Sequence, residues 1–231
     1  MPVKFFTNIL QDTFQGKFLS LLVAILLYLG IIPVIDQFVR LRFALDIFFS
    51  LILLTAIYAV SNQKQHLFIA LALGVPMFTF VWLNKFFPAG WLKIGANVLT
   101  ALFFGYALLR LLTYIFTESR VTRNVIYAAI IVYLFMGLLW ADIYQLLYYL
   151  QPGSFEIAGI QTNNPDRVLV YYSYVTLTTL GYGDISPLTD LAGSLAILEA
   201  IIGQLYLTVL VARLVALHIA HSGSGRPKDQ R

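Results

Sequence analysis

Apolar residues run along this chain in stretches of helix-spanning length, separated by brief polar or proline-glycine breaks such as Ser61-Asn62-Gln63-Lys64 and Pro88-Ala89-Gly90. A hydrocarbon core about 30 Å thick needs about 20 helical residues to cross it. Six segments meet that length, at about 17–35, 42–60, 66–84, 92–116, 121–150 and 188–219. The pattern predicts an all-α membrane protein with six transmembrane helices, and connections too short for soluble domains. No small-residue cleavage site follows the first run, so a signal anchor is expected in place of a removed signal peptide. No internal repeat is visible.

Residues 151–187 break the spanning pattern. Pro152-Gly153-Ser154 ends the fifth helix, and Asn163-Asn164-Pro165-Asp166 offers capping residues and a proline for a new helix start. A short helix from about 166 to 178 would cover about 18 Å, only part of the membrane, before the chain turns back. Thr176-Leu177-Thr178-Thr179-Leu180-Gly181-Tyr182-Gly183-Asp184 occupies that return. Four successive carbonyls from Thr179 to Tyr182, with the Thr179 hydroxyl, can face a dehydrated cation, and Gly181 and Gly183 accept dihedrals that side chains resist. The C-terminal dipole of the short helix would favour a cation below them. Non-helical backbone at this depth requires surrounding protein or an aqueous path.

The nonapeptide, Pro187 and the flanking helices over about 121 to 219 resemble the pore-loop potassium channel family. The resemblance implies one re-entrant pore helix and a selectivity filter completed by three further copies in a homotetramer, with potassium held at Thr179, Leu180, Gly181 and Tyr182. It places Gly183 and Asp184 at the outer mouth, Gly183 ending the ion-coordinating filter. The single motif argues against a two-pore chain. Leu180 departs from the commoner valine or isoleucine, which bears on inactivation. Tyr182 stands where nonselective relatives carry Asp, so potassium is expected to pass in preference to sodium.

Residues around the filter take roles from the same resemblance. Tyr171 and Tyr172 match an aromatic cuff, with Tyr172 expected to bond Asp184 and Tyr182 to bond the Thr176 hydroxyl; Thr178 completes the threonine register. Glu199, an ionisable residue well inside a span, would either line the cavity or brace the pore helix, the latter being favoured. Gly203 is a candidate gating hinge or, equally, a close-packing position. Arg213 is expected to snorkel to the cytoplasmic interface. Potassium ions are the implied cofactor, with no organic one, and lipid is the implied surrounding.

Composition agrees with the membrane reading. Hydrophobic residues make up 60% and charged residues 11%, less than half the roughly 25% of soluble domains; mean hydropathy is +0.82. The net charge of +4 comes from scattered basic residues that form no patch for nucleic acid. With both termini in the cytoplasm and the filter mouth outside, most of the 15 Lys and Arg fall on the inner side of the cell membrane. Histidines 66, 218 and 221 are expected as solvated interfacial residues. There is no cysteine, which excludes disulfides, thiolate metal sites and a cysteine nucleophile.

Three regions result: a four-helix membrane domain over 1–119, a pore domain over 120–221, and a flexible tail over 222–231. A voltage sensor needs several cations at every third position of one helix, because only charges that move through the field do work. The fourth span has Lys93 and Arg110 near opposite ends, expected as interfacial anchors, so strong voltage gating is not expected. Two alternatives remain open, a modifying subunit of a mixed channel and a secondary transporter. An enzyme is not expected, because no intramembrane cluster of acids and bases is visible beyond Glu199 and Asp142.

Overall fold

The computed structural model describes residues 16–30, 47, 49–50, 52–53, 55–57, 64–157 and 164–223. Helix α1 is Gly16–Gly30, and helical residues recur between 47 and 57. Then come α2 (Lys64–Phe86), α3 (Gly90–Thr117), α4 (Arg123–Leu150), β1 (Phe155–Ile157), α5 (Pro165–Leu177), β2 (Ile185–Pro187) and α6 (Asp190–Gly223). Four of these, α2, α3, α4 and α6, are long and apolar enough to cross a membrane. The protein is therefore a helical, multi-pass membrane protein. The 15-residue α1 falls short of a full span, and most of the second predicted span lies outside the described residues. The same holds for the predicted tail from residue 224 onward.

One feature corrects the purely helical expectation. β1 and β2 pair antiparallel, with Phe155 opposite Pro187, Glu156 opposite Ser186 and Ile157 opposite Ile185. The ladder ties the chain leaving α4 to the chain leaving the nonapeptide. Three residues per strand are too few for an alternating pattern to show in the sequence.

Helix α4 is the centre of the molecule, buried over 56% of its most apolar window. Its Thr122 N-cap accepts a bond from the Val125 amide. One face packs on α3, and only residues 118–122 connect the two, so the pair forms an antiparallel hairpin within one chain. The other face packs on α5. Phe103 and Phe104 of α3 and Phe135 of α4 are fully buried at the shared core, with Phe104 and Phe135 edge to face at 5.0 Å. By contrast, α6 is buried over 11% of its window.

Candidate functional site

Helix α5 begins at Pro165, where the missing amide costs nothing because first-turn amides have no helical partner. Asp166 in that turn bonds to Lys93 of α3 and accepts from the Tyr149 hydroxyl of α4 at 2.7 Å; the Gln145 amide donates to its carbonyl at 3.2 Å. Lys93 is thus an ion-pair partner of the start of α5, which corrects its reading as a plain interfacial anchor. Nothing in the sequence links two residues 73 positions apart.

The other end of α5 turns directly into the nonapeptide. Helix ends leave carbonyls without partners, and here the following residues supply them. Thr178 donates its amide and its hydroxyl to the Tyr174 carbonyl, and the Thr179 amide donates to Thr176. The Leu180 and Gly181 amides converge on the Val175 oxygen at 2.9 and 3.4 Å. Tyr133 of α4 donates to the Leu177 carbonyl at 3.2 Å.

Two successive amides aimed at one oxygen mark a backbone that alternates between right- and left-handed dihedrals. The φ angles agree: Thr179 is at +58°, Gly181 at +62° and Gly183 at +77°, while Leu180 and Tyr182 between them have no positive φ. Such alternation turns successive amides to one side and carbonyls to the other. A β-branched residue at positive φ is strained by about 1–3 kcal/mol and persists only where its surroundings hold it. Thr179 is so held, by the amide bond to Thr176 and by its hydroxyl, which donates to the Thr178 carbonyl at 2.7 Å. Leu180 and Tyr182 are 54% and 67% exposed on the single chain.

Behind this segment lies a buried, hydrogen-bonded wall. Glu199 of α6 is completely buried; Tyr144 of α4 donates to Oε2 at 2.5 Å, and Ser173 of α5 lies 2.5 Å from Oε1. Ser173 also reaches the Gly137 carbonyl at 2.7 Å, and Tyr174 donates to Leu134 at 2.7 Å. Glu199 therefore faces α5, not an open cavity. Tyr144, Tyr172 and Phe155 stack edge to face at 5.1 to 5.5 Å beside it.

The tyrosine roles are exchanged relative to expectation. Tyr171, not Tyr172, donates to Asp184, at 2.8 Å. Tyr172 is buried and meets Thr176, one turn on, and no bond from the exposed Tyr182 to Thr176 is seen among the described residues. Neighbouring helical positions point about 100° apart, and a Tyr-Tyr pair does not reveal which one faces the mouth.

Gly203 meets Leu177, whose carbonyl oxygen and Cδ1 would lie 2.8 Å from an added Cβ. Close approach accounts for glycine there, and α6 runs unbroken through it. Arg213 does not snorkel freely: it donates to the carbonyls of Ile115, Phe116 and Glu118 at 2.8 to 3.1 Å, capping the end of α3. His66 Nδ1 lies 3.0 Å from the Tyr106 hydroxyl, so it too has a protein partner; the side chains of His218 and His221 lie outside the described residues.

Residues 120–219 match a family model described as Ion channel. No curated protein and no solved structure matches the chain.

Proposed function

From the match of residues 120–219 to an ion channel family model, we propose that the chain is a potassium-selective channel of the pore-loop type whose filter is assembled from four copies. The observation that carries this reading is the alternating backbone at Thr179, Gly181 and Gly183 on the end of a helix too short to cross the membrane. One chain supplies one wall of carbonyl oxygens. A ring of four would surround a dehydrated ion with oxygens from Thr179, Leu180, Gly181 and Tyr182, replacing its hydration shell. Gly183 and Asp184 would form the mouth, where Asp184 adds a modest, salt-screened attraction for cations.

Several features support assembly. Leu180, Tyr182, Leu188 and Leu191 are more than half exposed on a single chain, along the filter and the start of α6. Lipid cannot solvate an irregular backbone, so protein or water must cover this surface. Backbone carbonyls fixed by the bonded wall behind them would hold the filter open without any energy source, so flow would be passive.

Gating by voltage through α3 is not supported. Its Lys93 is ion-paired with Asp166, and Arg110 lies about 25 Å farther along the helix at 1.5 Å per residue. In a cell membrane, with both termini cytoplasmic, open probability should change only shallowly with voltage.

The test is flux from purified protein in liposomes. Potassium should leave down its gradient at least about tenfold faster than sodium, and Gly181→Val should abolish the flux. Saturable, counter-ion-coupled movement at slow turnover would instead mean a transporter. No flux from the pure chain, restored by adding a second subunit, would mean a modifying subunit.

A further inference from the structure

Beside the start of α5, on the mouth side of the molecule, lies a polar cavity of about 190 Å³. It continues into a second of about 250 Å³ that shares Val81, Lys93 and Asn97 and opens toward Asn84 and Lys85 at the α2–α3 turn. At about 30 Å³ per molecule, the first has room for about six waters. Asn97, 5% exposed, lines both cavities, and its amide nitrogen has no hydrogen-bond partner among the described residues.

Asp142 of α4 lines the same cavity and is 9% exposed. Among the described residues, the charged and titratable groups that line the cavity with it are these. From α3 comes Lys93; from α5 come Asp166 and Arg167; from α1 comes Tyr28, and Tyr149 of α4 bonds Asp166. The 47–57 segment and α2 contribute Phe49 and Val81, which carry no charge. Lys93, ion-paired with Asp166, lies on the wall of the same cavity as Asp142, so two carboxyl groups flank one ammonium.

We propose that Asp142 is a proton-binding site read from the mouth side, and that its occupancy sets how firmly Lys93 holds the pore helix. Water in the two cavities carries the proton to an Asp142 carboxylate oxygen. With Asp142 charged, Lys93 is divided between two anions. Once Asp142 is neutral, Lys93 belongs to Asp166 alone, and the N-terminal end of α5 is drawn more tightly to α3. Because α5 runs straight into Thr178 and Thr179, the change reaches the filter. This inference rests on the channel reading above, and its experiment separates the two.

Single-channel current is recorded from the purified full chain in planar bilayers under symmetric potassium, with the mouth side moved between about pH 8 and about pH 5. Infrared difference spectra over the same range, wild type minus Asp142→Asn, read the carboxyl directly. The expected result is a change in open probability of about fivefold or more, the low end of ordinary coupling. Asp142→Asn should stay at the level that wild type reaches in acid. Lys93→Met should lose the current change while the Asp142 carboxyl still titrates, which keeps the test intact if the asparagine variant fails to fold. A smaller change in wild type, a full pH response in either variant, or no titrating Asp142 band overturns the proposal. Absence of current at any pH overturns the channel reading instead, and the infrared titration then still decides whether Asp142 binds protons.

Discussion

Two buried carboxyl groups sit beside the same short helix, one near its start and one near its middle, in different surroundings. Glu199 touches the middle of α5 in a dry wall where Tyr144 and Ser173 occupy its oxygens. Asp142 stands near the start of α5 at the edge of a polar cavity that Lys93 and its partner Asp166 also line. A carboxyl fixed by short hydrogen bonds among packed rings has one arrangement. One that faces water and a divided cation has two. Under the proposed function, the first would suit a filter that must not move and the second an input that must.

The largest effect should come from Glu199→Ala. It strands the Tyr144 hydroxyl and leaves Ser173 only its bond to the Gly137 carbonyl, in a space that water cannot easily enter, at about 1–3 kcal/mol for the stranded group. Thermal melting in detergent should fall sharply and potassium flux should disappear. Glu199→Gln keeps one acceptor and one donor in nearly the same shape, so it should recover most of the melting temperature. A wild-type melt for the alanine variant would break the contrast at its stronger end.

Gly203→Ala comes next, because the dry side has no spare volume. The added methyl meets a backbone carbonyl as well as the Leu177 side chain, and overpacking of this kind costs about 1–3 kcal/mol. If Gly203 served chiefly as a hinge, alanine would stiffen α6 and leave the melting temperature unchanged or higher. Calorimetry together with open times separates these outcomes.

Asp142→Ala should cost less than about 1 kcal/mol, since water already occupies or can fill the space it leaves. Matching melting curves for this variant and wild type would sharpen the contrast with Glu199→Ala. A loss as large as that of the glutamate would mean that both carboxyls are braces.

The two flanks also differ in how far the sequence reveals them. The return from α5, the glycines and the exposed filter residues follow from local spacing, because each depends on neighbours within a few positions. The buried Glu199 is visible as a charge inside an apolar run, and its isolation implies a specific partner. Which partner depends on the rotation of α4 and α5, and Tyr144 lies 55 positions away. Lys93 and Asp166 are harder still, since each resembles an ordinary interfacial residue until α3 and α5 are brought together. The exchange of Tyr171 and Tyr172 has the same origin: helical phase is a tertiary quantity. The five-residue link between α3 and α4 was legible as a short linker, but its consequence, a hairpin inside one chain, needed the packing.

The smallest effect tests the mouth, where neither the dry nor the wet arrangement applies. Tyr171 is 38% exposed and donates to Asp184 across open surface. The hydrogen bond to Asp184, then burial, pushes its phenol up from 10 to about 12. A raised phenol contributes stability that is complete below pH 10 and lost as pH rises through about 12, so the bond is intact throughout the neutral range. Removing it with Tyr171→Phe should lower stability by less than about 1 kcal/mol, as solvent competes for both partners. If the chain is the proposed channel, its selectivity would rest on the bonded wall behind Thr179, so the potassium-to-sodium ratio should remain within about twofold of wild type. The duration of conduction should shorten instead, because Asp184 loses its tether while the carbonyl spacing deeper in the filter does not change. Bi-ionic reversal potentials and open-time distributions from the same bilayer would show the two effects apart. A collapse of selectivity would place the mouth bond, rather than the Glu199 wall, in charge of the filter.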